Sequence, residues 1–385
     1  MIQSVYIHIP FCQQICHYCD FTKFFYNEEL ANDYMEALKK EINTSVMGNK
    51  NKVRTIFIGG GTPTALNQTQ LRSLLEIVQE KFDVANCQEY TIEANPGDFD
   101  EEKVKLLKAY GVNRISLGVQ VFDDGMLEEL GRLHKVKDVY HTINLLKQYG
   151  FENISIDLIY SLPNQTPEHF QHTVDEALSF QLPHYSSYSL QIEPKTIFYN
   201  RYKKGKLHRP AQEDEVQMYE ILKNSMRDNG LIQYEISNFA KNGYESKHNL
   251  NYWNNDYYYG FGAGASGYLP GKRTINIRPL PSYIKQAMQT GQPVLHVDEI
   301  GLKEQIEEEL FLGLRKLQGI RKTDFEKKYG FPYDVLYRQQ INNLIQKGWL
   351  IEKGDFIRLT EEGVLLGNNV FEHFLLEEEE LNRVR

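Results

Sequence analysis

Short β-branched runs alternate with longer amphipathic stretches through the first half of the chain. Residues 4–9 read as a strand, a polar loop follows, and apolar residues at helical spacing predict a helix over about 28–46. Residues 53–58 form a second strand, ended by Gly59-Gly60-Gly61-Thr62-Pro63 and followed by a helix over about 68–81. The theme repeats at 89–93, 114–117, 154–159 and 185–191, each run closed by polar, Gly or Pro residues. Alternation at this spacing predicts an α/β fold with a parallel sheet and right-handed crossovers. Six such units suggest an incomplete (β/α)6 TIM-like barrel, whose functional residues belong at the C-terminal ends of the strands.

Beyond about residue 235 the alternation stops, and 236–290 looks irregular and rich in Tyr, Asn and Gly. Helical periodicity returns at 304–316, 322–329 and 334–347, followed by short strands at 350–352 and 356–359 that turn at Gly354. Three helices and a hairpin suggest a winged-helix-like α+β module. The expected domains are 1–235, 236–295 and 296–385. The acids in the last of these favour a packing or partner module over DNA binding.

A chain of 385 residues buries a full core, and its formal charge of −9 argues against a nucleic-acid partner. No apolar run approaches the roughly 20 residues that span a bilayer. The start, Met-Ile-Gln-Ser, shows no basic and apolar leader, so a reducing, cytoplasmic setting is expected. The 25 Tyr and 20 Phe serve mostly as core, and the acidic run 377–380 reads as a solvated helix end.

Three of the four cysteines, Cys12, Cys16 and Cys19, fall within one loop after the first strand. Three thiolates there can hold three irons of a 4Fe–4S cube and leave the fourth iron open for chemistry. A structural zinc site needs a fourth ligand, which only His8 or His17 is near enough to supply. Cys87 belongs to no pattern and reads as a spare thiol. Other polar residues share the same rim: Glu93 closes strand three, Gln120 lies just past strand four and Asp157 sits in strand five. An open iron suits the amino and carboxylate groups of S-adenosylmethionine (SAM). The glycine triplet lets backbone approach such a ligand closely, although a tight strand-to-helix turn has the same composition.

Tyr6-Ile7-His8-Ile9-Pro10-Phe11-Cys12, Tyr18-Cys19-Asp20-Phe21, Gly-Gly-Gly-Thr-Pro-Thr and Ser-Leu-Gly-Val-Gln resemble the radical SAM superfamily. Asp-Leu-Ile-Tyr-Ser-Leu-Pro-Asn-Gln-Thr is similar to its anaerobic coproporphyrinogen III oxidase-like branch, which also contains haem chaperones. The resemblance spans nearly the whole chain. It implies a 4Fe–4S cluster on Cys12, Cys16 and Cys19, with SAM at Tyr6, Gly60, Gly61, Thr62, Glu93, Gln120, Arg132 and Asp157. Tyr18 matches a position that touches a second SAM in the oxidases. Ser161 stands where the branch leads one to expect glycine.

Two functions compete within the branch: oxidative decarboxylation of porphyrinogen propionates to vinyls, and binding and transfer of haem. The oxidase pattern carries a further cysteine where this chain has Phe21, and an extension ahead of the first strand. His248-Asn249-Leu250-Asn251-Tyr252-Trp253 is similar to a motif associated with haem in the chaperones. That similarity implies His248 as ligand to haem iron, Tyr252 and Trp253 against the porphyrin, and Tyr257, Tyr258 and Tyr259 extending the surface. Without it, a His in a polar loop is ordinarily just solvated. The implied partners are haem and acceptor proteins, membrane respiratory proteins foremost, while the resemblance allows a homodimer and leaves oligomeric state open. Gly262-Ala263-Gly264-Ala265-Ser266-Gly267 spells a dinucleotide fingerprint. With a poor strand before it and Leu269-Pro270-Gly271 after it, the run reads instead as a flexible loop beside the haem or SAM site.

Overall fold

A computed structural model describes residues 2–381 and Val384. Six parallel strands carry the first half: β1 (Ser4–Ile9), β2 (Thr55–Gly60), β3 (Glu89–Ala94), β4 (Arg114–Gln120), β5 (Asn153–Tyr160) and β6 (His184–Ser189). They lie side by side in chain order within a twelve-stranded sheet. Crossover helices α1 (Glu28–Ser45), α2 (Gln68–Lys81), α3 (Glu101–Ala109), α4 (Val136–Gln148) and α5 (Pro167–Ser179) connect them, and α6 (Gln212–Asp228) packs against α5. Polar caps set where helices begin: Asn27 accepts from Leu30 N, and Asn67 forms a reciprocal capping box with Gln70. The outward-facing strand positions are apolar and sealed under these helices, as with Val5, Ile7, Ile56, Ile58, Ile92, Leu117 and Ile156.

The alternate positions are mostly polar: Ser4, Tyr6 and His8; Thr55; Glu89, Thr91 and Glu93; Arg114 and Ser116; Ser155 and Asp157; His184 and Ser186. Barrels of this class usually fill their interior with branched aliphatic side chains. Here the lumen is a hydrogen-bonded polar interior. Thr55 Oγ1 donates to Ser4 Oγ at 2.7 Å, Ser155 Oγ meets His184 Nδ1 at 2.7 Å, and Ser116 Oγ donates to Asp157.

The segment expected to be irregular is ordered. After β7 (Ile232–Gln233) and β8 (Asn238–Ala240), helix α7 (Lys247–Trp253) leads into β9 (Tyr258–Phe261). Strand β9 lies parallel to β1, with Tyr6 opposite Gly260, as a seventh parallel strand. An antiparallel meander of β10 (Ser266–Leu269), β11 (Lys272–Asn276) and β12 (Val294–Glu299) then extends the sheet, and α8 (Leu280–Thr290) packs on α1. The run 262–267 is therefore no flexible loop: residues 262–265 are the tight β9–β10 connection, and Ser266 and Gly267 open β10. Gly262 N donates to Glu41 Oε2, and Ala263 N to Tyr34 Oη. Sequence alternation fails here because the meander is short, and β12 is exposed along its whole length.

The expected C-terminal module is present. Helices α9 (Leu302–Gly313), α10 (Lys322–Tyr329) and α11 (Asp334–Gln346) pack with a three-stranded sheet of β13 (Ile320–Arg321), β14 (Leu350–Lys353) and β15 (Phe356–Leu359). Its core, from Ile306 to Leu381, is separate from that of the barrel, while Phe261, Ala263, Leu280 and Tyr283 belong to the barrel's core.

Candidate cofactor site

The cysteine loop is held from both sides. Phe24 N donates to Pro10 O at 2.7 Å and Tyr26 N to Cys12 O at 2.9 Å, fastening the loop's return beside its entry. On the far side His17 N donates to Leu130 O, and Phe198 N donates to His17 O. The His17 ring donates from Nδ1 to Glu129 O at 2.7 Å and sets its other edge against Gly131.

Loop and strand ends enclose a cavity of about 460 Å³ at the C-terminal mouth of the barrel. Cys12, Cys16, Tyr18, Cys19, Gly60, Gly61, Thr62, Glu93, Gln120, Arg132 and Asp157 all line it. Eleven expected residues from six separate stretches of chain thus meet at one place. Tyr6 does not line it. Its hydroxyl donates to His8 Nδ1 at 2.9 Å, since His8 Nε2 is committed to Thr22 O, and its ring stacks on Phe57 inside the lumen.

Local backbone explains the placements. Gly60 has φ +111°, and a Cβ there would meet the His8 ring at 2.4 Å; its N–H is thereby turned to donate to Glu93 Oε2 at 2.9 Å. Strand β4 slips register between Gly118 and Gln120, and Gln120 takes φ +72°, a bulge that re-aims its side chain into the cavity. Ser161 has φ +60°, the left-handed region that makes glycine the expected residue.

Burial sets the charge state of the site. It pushes the Cys12 thiol up to about 11, against the lowering effect of the Thr62 hydroxyl, and pushes Cys19 up as well. Burial also lifts the Glu93 carboxyl to about 7, against the Gly60 N–H, and raises Asp157 against the Arg114 guanidinium. Thiols so placed stay protonated near neutral pH until a cationic metal stabilises the thiolate. Arg132 is the fixed cation of the site. It donates to Asn95 Oδ1 and Tyr18 Oη, each at 2.6 Å, while its buried Nε has no partner.

Sequence reading missed Asn95, Ser116 and Tyr188, which also line the cavity. Asn95 joins the parts: its Nδ2 donates to Thr62 Oγ1 at 3.0 Å, and Thr62 Oγ1 in turn donates to Cys12 Sγ at 3.6 Å. Its position directly after the strand-three Glu93-Ala94 ending was the available signal. Among the described residues, no three His, Cys, Asp or Glu side chains converge as ligands of one metal ion. Cys12, Cys16 and Cys19 instead line one shared cavity.

His248, Tyr252 and Trp253 lie elsewhere. His248 is 1% exposed. Its Nδ1 meets Thr55 Oγ1 at 2.8 Å and its Nε2 meets Tyr252 Oη at 2.9 Å. Its ring stacks on Phe57, and burial lowers its pKa to about 3, with the Arg114 charge adding to the effect. Tyr258 packs edge-on against Tyr252, Tyr257 is tilted against Tyr268, and Tyr259 stacks on Phe261, so each of these half-buried rings already has an aromatic neighbour within the fold.

Residues 6–177 match the Radical SAM superfamily, and residues 300–366 match the HemN C-terminal domain. The chain is 49% identical to Heme chaperone HemW of Bacillus subtilis, over 97% of this chain and 99% of that one. It is 33% identical to Heme chaperone HemW of Escherichia coli, over 97% and 98% of the two chains. The solved structure of coproporphyrinogen III oxidase (HemN) from Escherichia coli superposes with a TM-score of 0.84 at 22% identity, covering 97% of this chain and 90% of that one. Six parallel strands ending at one cysteine-lined mouth, the C-terminal module and identity sustained over the full length lead to one assignment: the chain belongs to the Heme chaperone HemW family of the radical SAM superfamily.

Proposed function

We propose that this protein is a haem chaperone that binds haem and passes it to an acceptor protein, and that it carries a 4Fe–4S cluster and SAM. The observation that carries the reading is the 49% identity over 97% of the chain to a protein named for that role. Phe21, on the cavity wall where the oxidase pattern places a cysteine, further supports it against porphyrinogen decarboxylation. We place its work in the cytoplasm, with membrane respiratory proteins as the acceptor class; among the described residues no helix is long and apolar enough to cross a membrane. The division into a barrel of residues 1–235, a 236–295 segment and a 296–385 module belongs to the same reading.

The cavity fits the cluster and SAM. Three thiols face it from one loop, an unpartnered buried Arg132 Nε points to a missing acceptor, and Glu93, Gln120 and Asp157 supply polar groups opposite. Cys12, Cys16 and Cys19 would hold the cluster. Gly60, Gly61, Thr62, Glu93, Gln120, Arg132 and Asp157 would hold SAM, and Tyr18 would lie beside it. When bound, the pair supplies one-electron chemistry at a sulfonium. The chain's own part is to fix both groups in a wall of positioned donors. Arg132 balances the charge of Cys16 and Cys19, while Thr62 steadies Cys12 Sγ.

The expected haem residues do not fit in the same way. Both nitrogens of His248 are engaged and the ring is sealed, so the folded arrangement offers haem iron no free lone pair there.

Anaerobic titration of the purified chain with haem tests the function. A saturable Soret band is expected, together with no protoporphyrinogen on incubation with coproporphyrinogen III and SAM. Absence of the band would remove the chaperone reading, and robust conversion would establish the oxidase.

A further inference from the structure

We infer that helix α7 is a plug sealing the N-terminal end of the barrel, that Glu89 is its positioning residue, and that haem iron takes its protein ligand somewhere other than His248. The last clause rests on the haem-chaperone reading; the first two stand without it. His248 is anchored by residues that begin their strands: Thr55 opens β2, Ser4, which Thr55 contacts, opens β1, and Glu89 opens β3. The cofactor cavity is lined by residues that end theirs, such as Gly60 and Gln120. At about 3.3 Å per residue, Thr55 and Gly60 are separated by roughly 16 Å of strand. His248 therefore lies at the opposite end of the lumen from the cysteine loop.

Glu89 holds the helix start. Its Oε2 accepts from Lys247 N at 2.8 Å, and its Oε1 accepts from His248 N at 3.0 Å and from Ser246 Oγ at 3.2 Å. A 2% exposed carboxylate with three donors from one turn fixes that turn against the barrel. The C-terminal module closes the other side. Lys316 Nζ donates to Asn254 Oδ1, Lys328 Nζ donates to the Asn255 carbonyl at 3.1 Å, and Arg315 lies over the Trp253 ring. A ligand helix built to receive haem would present one imidazole nitrogen to an opening. This one has hydrogen bonds on both and protein on every side.

The experiment compares wild type, His248→Gln, His248→Gly, Thr55→Val and Glu89→Gln by thermal unfolding, by amide hydrogen exchange over residues 247–253, and by EPR and resonance Raman of the haem-loaded chain. Each variant should melt about 5 °C or more below wild type, Glu89→Gln should raise exchange in that segment at least about tenfold, and the axial-ligand signature should be unchanged in all. Two results overturn the ligand clause: loss of an imidazole signature in His248→Gln at unchanged thermal midpoint, or its return on adding free imidazole to His248→Gly. Unchanged exchange in Glu89→Gln overturns the plug. If wild type takes up no haem, the proposed function fails by itself, and exchange and melting still decide the plug.

Discussion

At the scale of single residues, the chain separates buried groups that serve a ligand from buried groups that serve the fold. Cys12, Cys16 and Cys19 line one cavity, whereas Cys87 sits outside it with its thiol against the Arg54 and Glu89 carbonyls. Changing any of the first three to Ala should abolish the 4Fe–4S spectrum of anaerobically reconstituted protein, while Cys87→Ala leaves iron content unchanged; equal iron in all four variants would refute the assignment. Glu41 is the contrasting case. Its carboxylate, 3% exposed, accepts from Gly262 N, Asn276 Nδ2 and Tyr283 Oη, and burial still lifts its pKa to about 7. A folded-state pKa above the unfolded value means that Glu41 stabilises the fold while protonated, fully below about 4.5, and that this contribution is lost as pH rises through about 7. The span is on the order of 3 kcal/mol. Wild type should therefore lose stability between pH 5 and pH 8 more steeply than Glu41→Gln, and parallel profiles in denaturant titrations would exclude Glu41 as the cause.

At the scale of elements, β9 is the least legible and among the most constrained. It fits between β1 and β10 only because Gly260 is bare: a Cβ there would lie 1.9 Å from the Ser266 carbonyl oxygen. Gly260→Ala should cost about 2 kcal/mol or more, read as a lower urea midpoint at unchanged slope. A variant as stable as wild type would show that the strand has room to shift. The first five barrel strands were readable because their outward faces repeat apolar residues at period two, while β6, His-Tyr-Ser-Ser-Tyr-Ser, was readable from its place in the alternation; helix 68–81 shows its apolar positions and capping box together, and helix 322–329 is closed by Gly330. Strand β9 alternates nothing: Tyr258 and Tyr259 are both half-buried, and the two residues after them are Gly and Phe. Most cavity residues were legible because they end a strand or follow one, whereas Asp157 sits within β5 and Arg132 follows the helical turn at 124–129, and the resemblance placed Arg132. Tyr6 and His248 were placed by motif alone, and motif carries no information about which end of a lumen a side chain faces. Glu41 and Glu89 escaped notice because a carboxylate in a helix or at a strand start reads as solvated until its distant donors are known.

At the scale of the whole molecule, the C-terminal module's separate core is joined to the barrel by charged contacts around the end of α7. Arg273 of β11 forms a bidentate pair with Glu308 of α9 at 2.7 and 3.0 Å, Leu317 N donates to Tyr234 O, and Lys316 and Lys328 reach Asn254 and Asn255. This favours the packing role over nucleic-acid binding, because the lysines nearest the barrel are spent on its backbone and amides. Such contacts are partly exposed, so each contributes little alone, and their effect is to hold one segment closed. The double change Arg315→Ala and Lys328→Ala should therefore leave exchange of the β2, β3 and β4 amides as in wild type. Exchange over residues 247–256 should rise about tenfold, with a new proteolytic cut in that segment. If the cut and the faster exchange fall instead throughout the barrel, the module supports the whole fold rather than the segment it touches.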